Sequence, residues 1–255
     1  MQPRAKVRAV WHVRDEELED AVDRVVATFA RLANVAADWG NWFRGYKSTA
    51  DREGGPHYLM GRPDLVLEEF IDRQREAGWE GTPDLGYPLT AAAGPPRGRG
   101  LDMSFLRFHC CVHPPHGGFN SVLLEFPTRS AAPALYHPDV LARAVAVFAD
   151  VWDPDWAYAF YESTELVPPA WKYGPVLGWV TYVPSRIGVV EAGLAHGWQW
   201  FSGRGADQIF LFMGGPPDPK DPAHVASFLE MARRIRWILP AGQPSENSGD
   251  GEKGR

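Results

Sequence analysis

The stretch LDMSFLRFHCCVHPPHGGFNSVLLEFP, residues 101–127, alternates apolar and polar side chains on both sides of PPHGG, the pattern of an antiparallel β-hairpin. Successive side chains of a strand point to opposite faces, so its first arm puts Leu106, Phe108, Cys110 and Val112 together and Arg107, His109, Cys111 and His113 opposite them. The same stretch holds both Cys and three of the eight His of the chain, which raises the question of a metal. A zinc site needs about four converging ligands. His109, Cys111 and His113 share a face and His116 in the turn offers a fourth corner, but Cys110 and Cys111 diverge and the spacing matches no finger or ribbon. The expectation is no metal, with Cys110 in the core. Nucleophilic chemistry by Cys111 with His109 or His113 would require a positioned base and a lowered thiol pKa, neither of which spacing reveals.

Upstream of the hairpin, residues 5–13 read as a strand. DEELEDAVDRVVATFARLA then carries Leu18, Val22, Val25, Phe29 and Leu32 at helical spacing behind an acidic first turn. RPDLVLEEFIDRQREAG predicts a second helix, with Pro63 early, an apolar face of Val66, Phe70 and Ile71, and Gly78 as its stop. Residues 79–100, rich in Pro and Gly and without sustained periodicity, read as an ordered connector.

Downstream, HPDVLARAVAVFADVW offers Leu141, Ala144, Val145 and Phe148 as a helical stripe, with Pro138 suited to the first turn. WAYAFYES, LGWVTYVP and the pair within GWQWFSGRGADQIFLFMGG read as strands of a further sheet, GRGAD supplying a turn. DPAHVASFLEMARRIRWIL predicts a closing helix capped by Asp221, with Val225, Phe228, Leu229, Ala232, Ile235 and Leu239 on one face. Helices mixed with blocks of consecutive strands imply an α+β fold rather than a regular alternation. The expectation is a single compact domain over residues 1–239, mostly antiparallel sheet with helices packed against it, and a disordered tail at 240–255 that lacks apolar content.

The 255 residues are 45% hydrophobic and 23% charged with a net charge of −6, which describes a globular chain and argues against nucleic acid as a direct partner. No apolar run approaches the ~18–20 residues of a membrane span, and the charged start lacks the apolar region of a signal peptide, so the expected location is the cytoplasm. No nucleophile elbow, zinc-protease helix, phosphate-binding loop or dinucleotide fingerprint is present; no cofactor and no enzymatic activity are expected.

The most biased stretch is DVWDPDWAYAFYESTE, residues 150–165. Asp150, Asp153, Asp155, Glu162 and Glu165 lie among five aromatic residues without a single Lys or Arg. Such a stretch can bury its aromatics and leave acids at strand ends. It can also form an acidic, aromatic-anchored docking surface for a basic partner, with Asp153, Asp155, Trp156 and Glu162 as the contact residues, or supply Asp153, Asp155 and Glu162 for acid–base catalysis. Trp39, Trp42, Phe43 and Tyr46 in ADWGNWFRGYKS are best explained by burial.

The early strand and helix followed by WGNWFRGYKS, the strand FNSVLLEFP, the strand LGWVTYVP and the closing DPAHVASFLEMARRIRWIL together resemble the immunity protein 52 family of bacterial polymorphic toxin systems, over about residues 5–239. The resemblance implies a cytoplasmic antidote that binds and inhibits a cognate toxin, typically a nuclease of the restriction-endonuclease-like class with a basic site. It carries over to Trp39, Trp42, Gly45, Ser48, Asn120, Gly178, Trp179 and Tyr182 as fold positions. The HCCVHPP hairpin and the C-terminal tail lie outside the pattern.

Overall fold

The structure, a computed structural model, describes residues 4–44, 55–95, 100–113, 119–161, 175–190, 193–204 and 207–238. The hairpin forms as β4 (Ser104–Val112) and β5 (Phe119–Glu125), paired antiparallel from Phe105 opposite Glu125 to His109 opposite Ser121. Its turn, with His116, lies outside the described residues. Around it grows, among the described residues, one sheet of nine antiparallel strands: β2 (Trp42–Arg44), β3 (Leu85–Ala93), β4, β5, β1 (Ala5–His12), β6 (Trp156–Tyr161), β7 (Val180–Val183), β10 (Asp207–Phe212) and β9 (Trp198–Arg204), in that spatial order. The C-terminal strands therefore extend the first sheet through the β1–β6 pair and do not build a second one. The separate sheet is a short ribbon of β8 (Gly188–Val190) and β11 (Ile235–Trp237).

Helices α1 (Leu18–Ala33), α2 (Pro63–Glu76) and α3 (Pro138–Trp152) pack on one face of the sheet. Their apolar stripes explain why. Val22, Val25, Phe29 and Leu32 of α1 and Leu141, Ala144, Val145 and Phe148 of α3 are all buried, against Val7, Ala9 and Trp11 of β1 and Leu106 and Phe108 of β4 in one continuous core. Helix α4 (Pro222–Arg234) takes the other face near the β9 edge, where Phe228 meets Trp198 and Phe212 at ring distances of 4.8 and 5.1 Å. Asp221 caps it, accepting from the Ala223 N–H at 2.8 Å.

The helix α2 stripe is narrower than its pattern implies: Val66 and Phe70 are buried, whereas Ile71 is 41% exposed and the buried Glu69 and Gln74 complete the face. Residues 85–93, read as connector, form β3. Pro88 hid the strand, yet it is tolerated because β2 pairs only with Ala91–Ala93 and leaves the Pro88 stretch on a local edge. The closing helix also stops sooner than its apolar spacing suggests. Ile235 turns extended (φ −88, ψ 114) and IRW pairs with β8, while Leu229 faces solvent. There the period-2 pattern of a β-branched and an aromatic residue outweighs the helical one.

Candidate partner-binding surface

The acidic stretch is shaped by the end of α3. Asp153 adopts the left-handed conformation (φ 42, ψ 57) that short polar side chains tolerate, its N–H still bonded to Ala149 O at 3.1 Å, and Pro154 then bars further helix. The chain reverses directly into β6. This throws the Asp153 carboxylate outward, 68% exposed, and turns that of Asp155 inward, 16% exposed.

Neither acid is left alone. Arg186, from the turn between β7 and β8, spans both: its Nη1 lies 2.8 Å from Asp153 Oδ1, its Nε 3.4 Å from Asp155 Oδ1, and its Nη2 donates to the carbonyls of Asp153 and Pro154 at 2.9 and 2.8 Å. Arg14 donates to the Trp152 carbonyl at 2.6 Å. Asp155 also accepts the His12 N–H at 2.7 Å and lies 2.6 Å from His12 Nδ1. Burial works against ionising Asp155, but the His12 hydrogen bonds and the charges of His12 and Arg186 hold its carboxyl below the ordinary range. Trp156 is 4% exposed and packs with Val10 and Tyr158, its ring 5.9 Å from His12 and 6.0 Å from Phe119. Glu162 lies outside the described residues.

The lowered Asp155 pKa makes a testable statement about stability. A depressed carboxyl stabilises the fold in full above its ordinary value near 3.8 and loses that contribution as the pH falls through the lower folded-state value. Asp155→Asn is expected to cost about 1.5–3 kcal/mol at pH 7, the worth of hydrogen bonds to a charged group, and much less at pH 2. Denaturant melts of both proteins across that range check it, and a constant gap between the curves would contradict the assignment.

Beside Asp153 opens a cleft of about 410 Å³, lined on the α3 side by Asp150 and on the sheet side by Tyr182, Ser202 and Asp207. Asp207 accepts from the Tyr182 hydroxyl at 3.0 Å and the Ser185 N–H at 2.8 Å, while Asp150 pairs with Arg31 at 3.2 Å. Burial, with Asp207 adding to it, pushes the Tyr182 hydroxyl pKa up and keeps it a neutral donor. Asp207, Arg186 and His12 escaped the sequence reading because none lies near the acidic run along the chain; only the sheet order brings them to it.

The His/Cys stretch departs from simple alternation. Cys111 takes a left-handed φ of 57° opposite Gly86 at +83°, and this local twist turns its side chain into the core beside Cys110 instead of leaving it with His109 and His113. Burial, with Glu16 and Glu17 nearby, pushes the Cys111 thiol up to about 12, and burial likewise raises Cys110 well above its ordinary value. Both thiols therefore stay protonated near neutrality, the opposite of what a nucleophile needs. His109 is occupied by Leu85 O at 2.9 Å. Among the described residues no three His, Cys, Asp or Glu side chains gather to hold a metal ion, and no helix is long and apolar enough to cross a membrane.

Comparison with known proteins gives three results. No curated protein matches the chain. Among solved structures, the Pseudomonas aeruginosa T6SS protein PA0821 is similar at 13% identity and a TM-score of 0.46, over 92% of this chain and 78% of that one. The family model for immunity protein 52 matches residues 6–195, from β1 through the Asp153–Arg186 network to within three residues of β9, and the chain belongs to that family.

Proposed function

We propose that this protein is the cytoplasmic antidote to a cognate polymorphic toxin, a nuclease by the family resemblance, and that it acts by binding rather than by catalysis. The observation that carries the proposal is the family membership itself. The chemistry of the surface supports it: the candidate thiols are protonated, Asp153 and Asp155 are tied to Arg186 and His12, and what remains is a polar surface over buried aromatic side chains. Asp153, Asp155 and Glu162 are the contact stretch proposed for a basic toxin surface, with the exposed Asp153 at its rim; Trp156, expected from the sequence as a contact, is buried and supports the stretch from below.

The test is association and dissociation kinetics against the toxin domain encoded by the adjacent gene. Asp153→Asn with Asp155→Asn is expected to slow association and flatten its salt dependence. Trp156→Ala, which removes the buried ring beside His12, the partner of Asp155, is expected to raise the dissociation rate by the equivalent of about 2 kcal/mol, with circular dichroism as the folding control. Unchanged kinetics in folded variants would remove this stretch from the interface; no binding to that toxin would sink the antidote role.

A further inference from the structure

The face of the sheet turned away from α1, α2 and α3 is organised in cross-strand rows. Arg107 of β4 and Arg8 of β1 both stand directly opposite Leu123 of β5, and Tyr158 of β6 follows Arg8 in the same row. The next row runs Phe105, Glu125, Lys6 and Phe160. Both arginines are exposed, and Leu123, Phe105 and Phe160 are half-buried. Glu125 is shared by Lys6 and Arg107, each at 3.1 Å, and Arg8 makes no ion pair with a described residue. Among the described residues, these two rows hold three cations and one carboxylate, on a chain whose net charge is −6.

We propose that this face is a docking surface for an acidic patch on the cognate toxin, with Arg8 and Arg107 as its paired contacts and Leu123 as the apolar floor between them. The inference rests on the antidote reading and adds to it a surface and a partner chemistry. Strands lie about 4.8 Å apart, so two spacings set the arginine backbones roughly 10 Å from each other. The complementary feature is a pair of carboxylates at about that separation flanking an apolar side chain, such as positions i and i+7 of a helix, about 10.5 Å apart. The surface is continuous with the acidic end of the sheet, because His12, Val10 and Trp156 occupy the following rows of the same face. A protein fits better than nucleic acid. The cations are few and interrupted by Glu125, and the field of an acidic chain opposes a polyanion while leaving room for a local carboxylate pair.

The experiment measures toxin affinity of the full chain and of Arg8→Glu with Arg107→Glu, with thermal melting of each. Arg8→Gln with Arg107→Gln serves as the milder pair should charge reversal disturb the fold. The expected result is a loss of about 30-fold or more in affinity for the reversed pair, with a smaller loss and a weaker salt dependence for the neutral one. Wild-type-like affinity in folded variants overturns this surface and leaves the antidote reading standing. A wild-type chain that fails to bind the toxin overturns both. Binding of a DNA duplex or an RNA hairpin that depends on Arg8 and Arg107, with toxin affinity indifferent to them, overturns the choice of partner.

Discussion

Gly178→Ala is expected to destabilise the protein by about 3 kcal/mol or more, the scale of forced overpacking against backbone. A methyl group at this position would lie 2.2 Å from the Ala159 carbonyl oxygen and 3.1 Å from both the Ala159 carbonyl carbon and the Tyr158 Cβ. None of these can step aside cheaply. Ala159 is fully buried in β6, its carbonyl accepts the Trp179 N–H at 2.6 Å, and it pairs with Val7 on one side and Val180 on the other. Displacing it disturbs the junction through which the two halves of the sheet are joined. Gly178 is needed for close approach and not for an unusual φ, so a residue of any size fails there. Gly100→Ala, where nothing lies within 4 Å, is the control expected to stay within about 0.5 kcal/mol of wild type. Urea melts decide, and a Gly178→Ala midpoint equal to that of the control would refute the packing argument.

Much of the architecture could be read from periodicity because one face of each element is buried and the other is wet. The hairpin, α1 and α3 fall in this class, and their predicted apolar faces are buried apart from the half-buried Leu18, while Cys111, expected on the polar face of the hairpin, turns into the core. The failures share a cause: tertiary pairing decided what local pattern could not. LGYPLTAAA alternates only weakly, since small Ala residues and Pro88 mask the period, and it becomes a strand because β4 offers a nine-residue partner. IRW at the end of α4 was drawn out of the helix by β8. The acidic run was correctly seen as biased, yet its electrostatics were not legible. Arg186 stands 31 residues from Asp155 and His12 stands 143 residues from it. The basic rows of the sheet were equally hidden, because Arg8, Arg107 and Lys6 are scattered along the sequence and meet only through the register of β1, β4 and β5.

Trp152→Ala is expected to cost about 3–5 kcal/mol, the range for truncating a large buried aromatic, and to do so at the point where the core meets the proposed contact stretch. Trp152 is the last residue of α3 and is fully buried. Its ring stacks on Trp11 at 4.9 Å and lies 5.7 Å from Phe108, with the Arg24 guanidinium 6.0 Å above it. Its Nε1 donates to Thr28 Oγ1 at 2.9 Å. Truncation leaves a cavity between α1, α3 and β1 and strips that partner from a buried hydroxyl, which still donates to Arg24 O at 2.7 Å. Trp152→Phe keeps most of the volume and loses the indole N–H, so it should cost far less, with about 1 kcal/mol of it from the hydrogen bond. The consequence for binding follows from position. The Trp152 carbonyl receives Arg14 and the next residue is Asp153, so relaxation of the cavity shifts the acid and its Arg186 clamp together. Thermal melts paired with toxin kinetics separate the two effects. Trp152→Phe should retain wild-type kinetics at a temperature where it is folded, and Trp152→Ala should bind more weakly even when measured below its own melting transition. Equal stability of the Ala and Phe variants would show that the cavity collapses without penalty and that Trp152 does not anchor the end of α3.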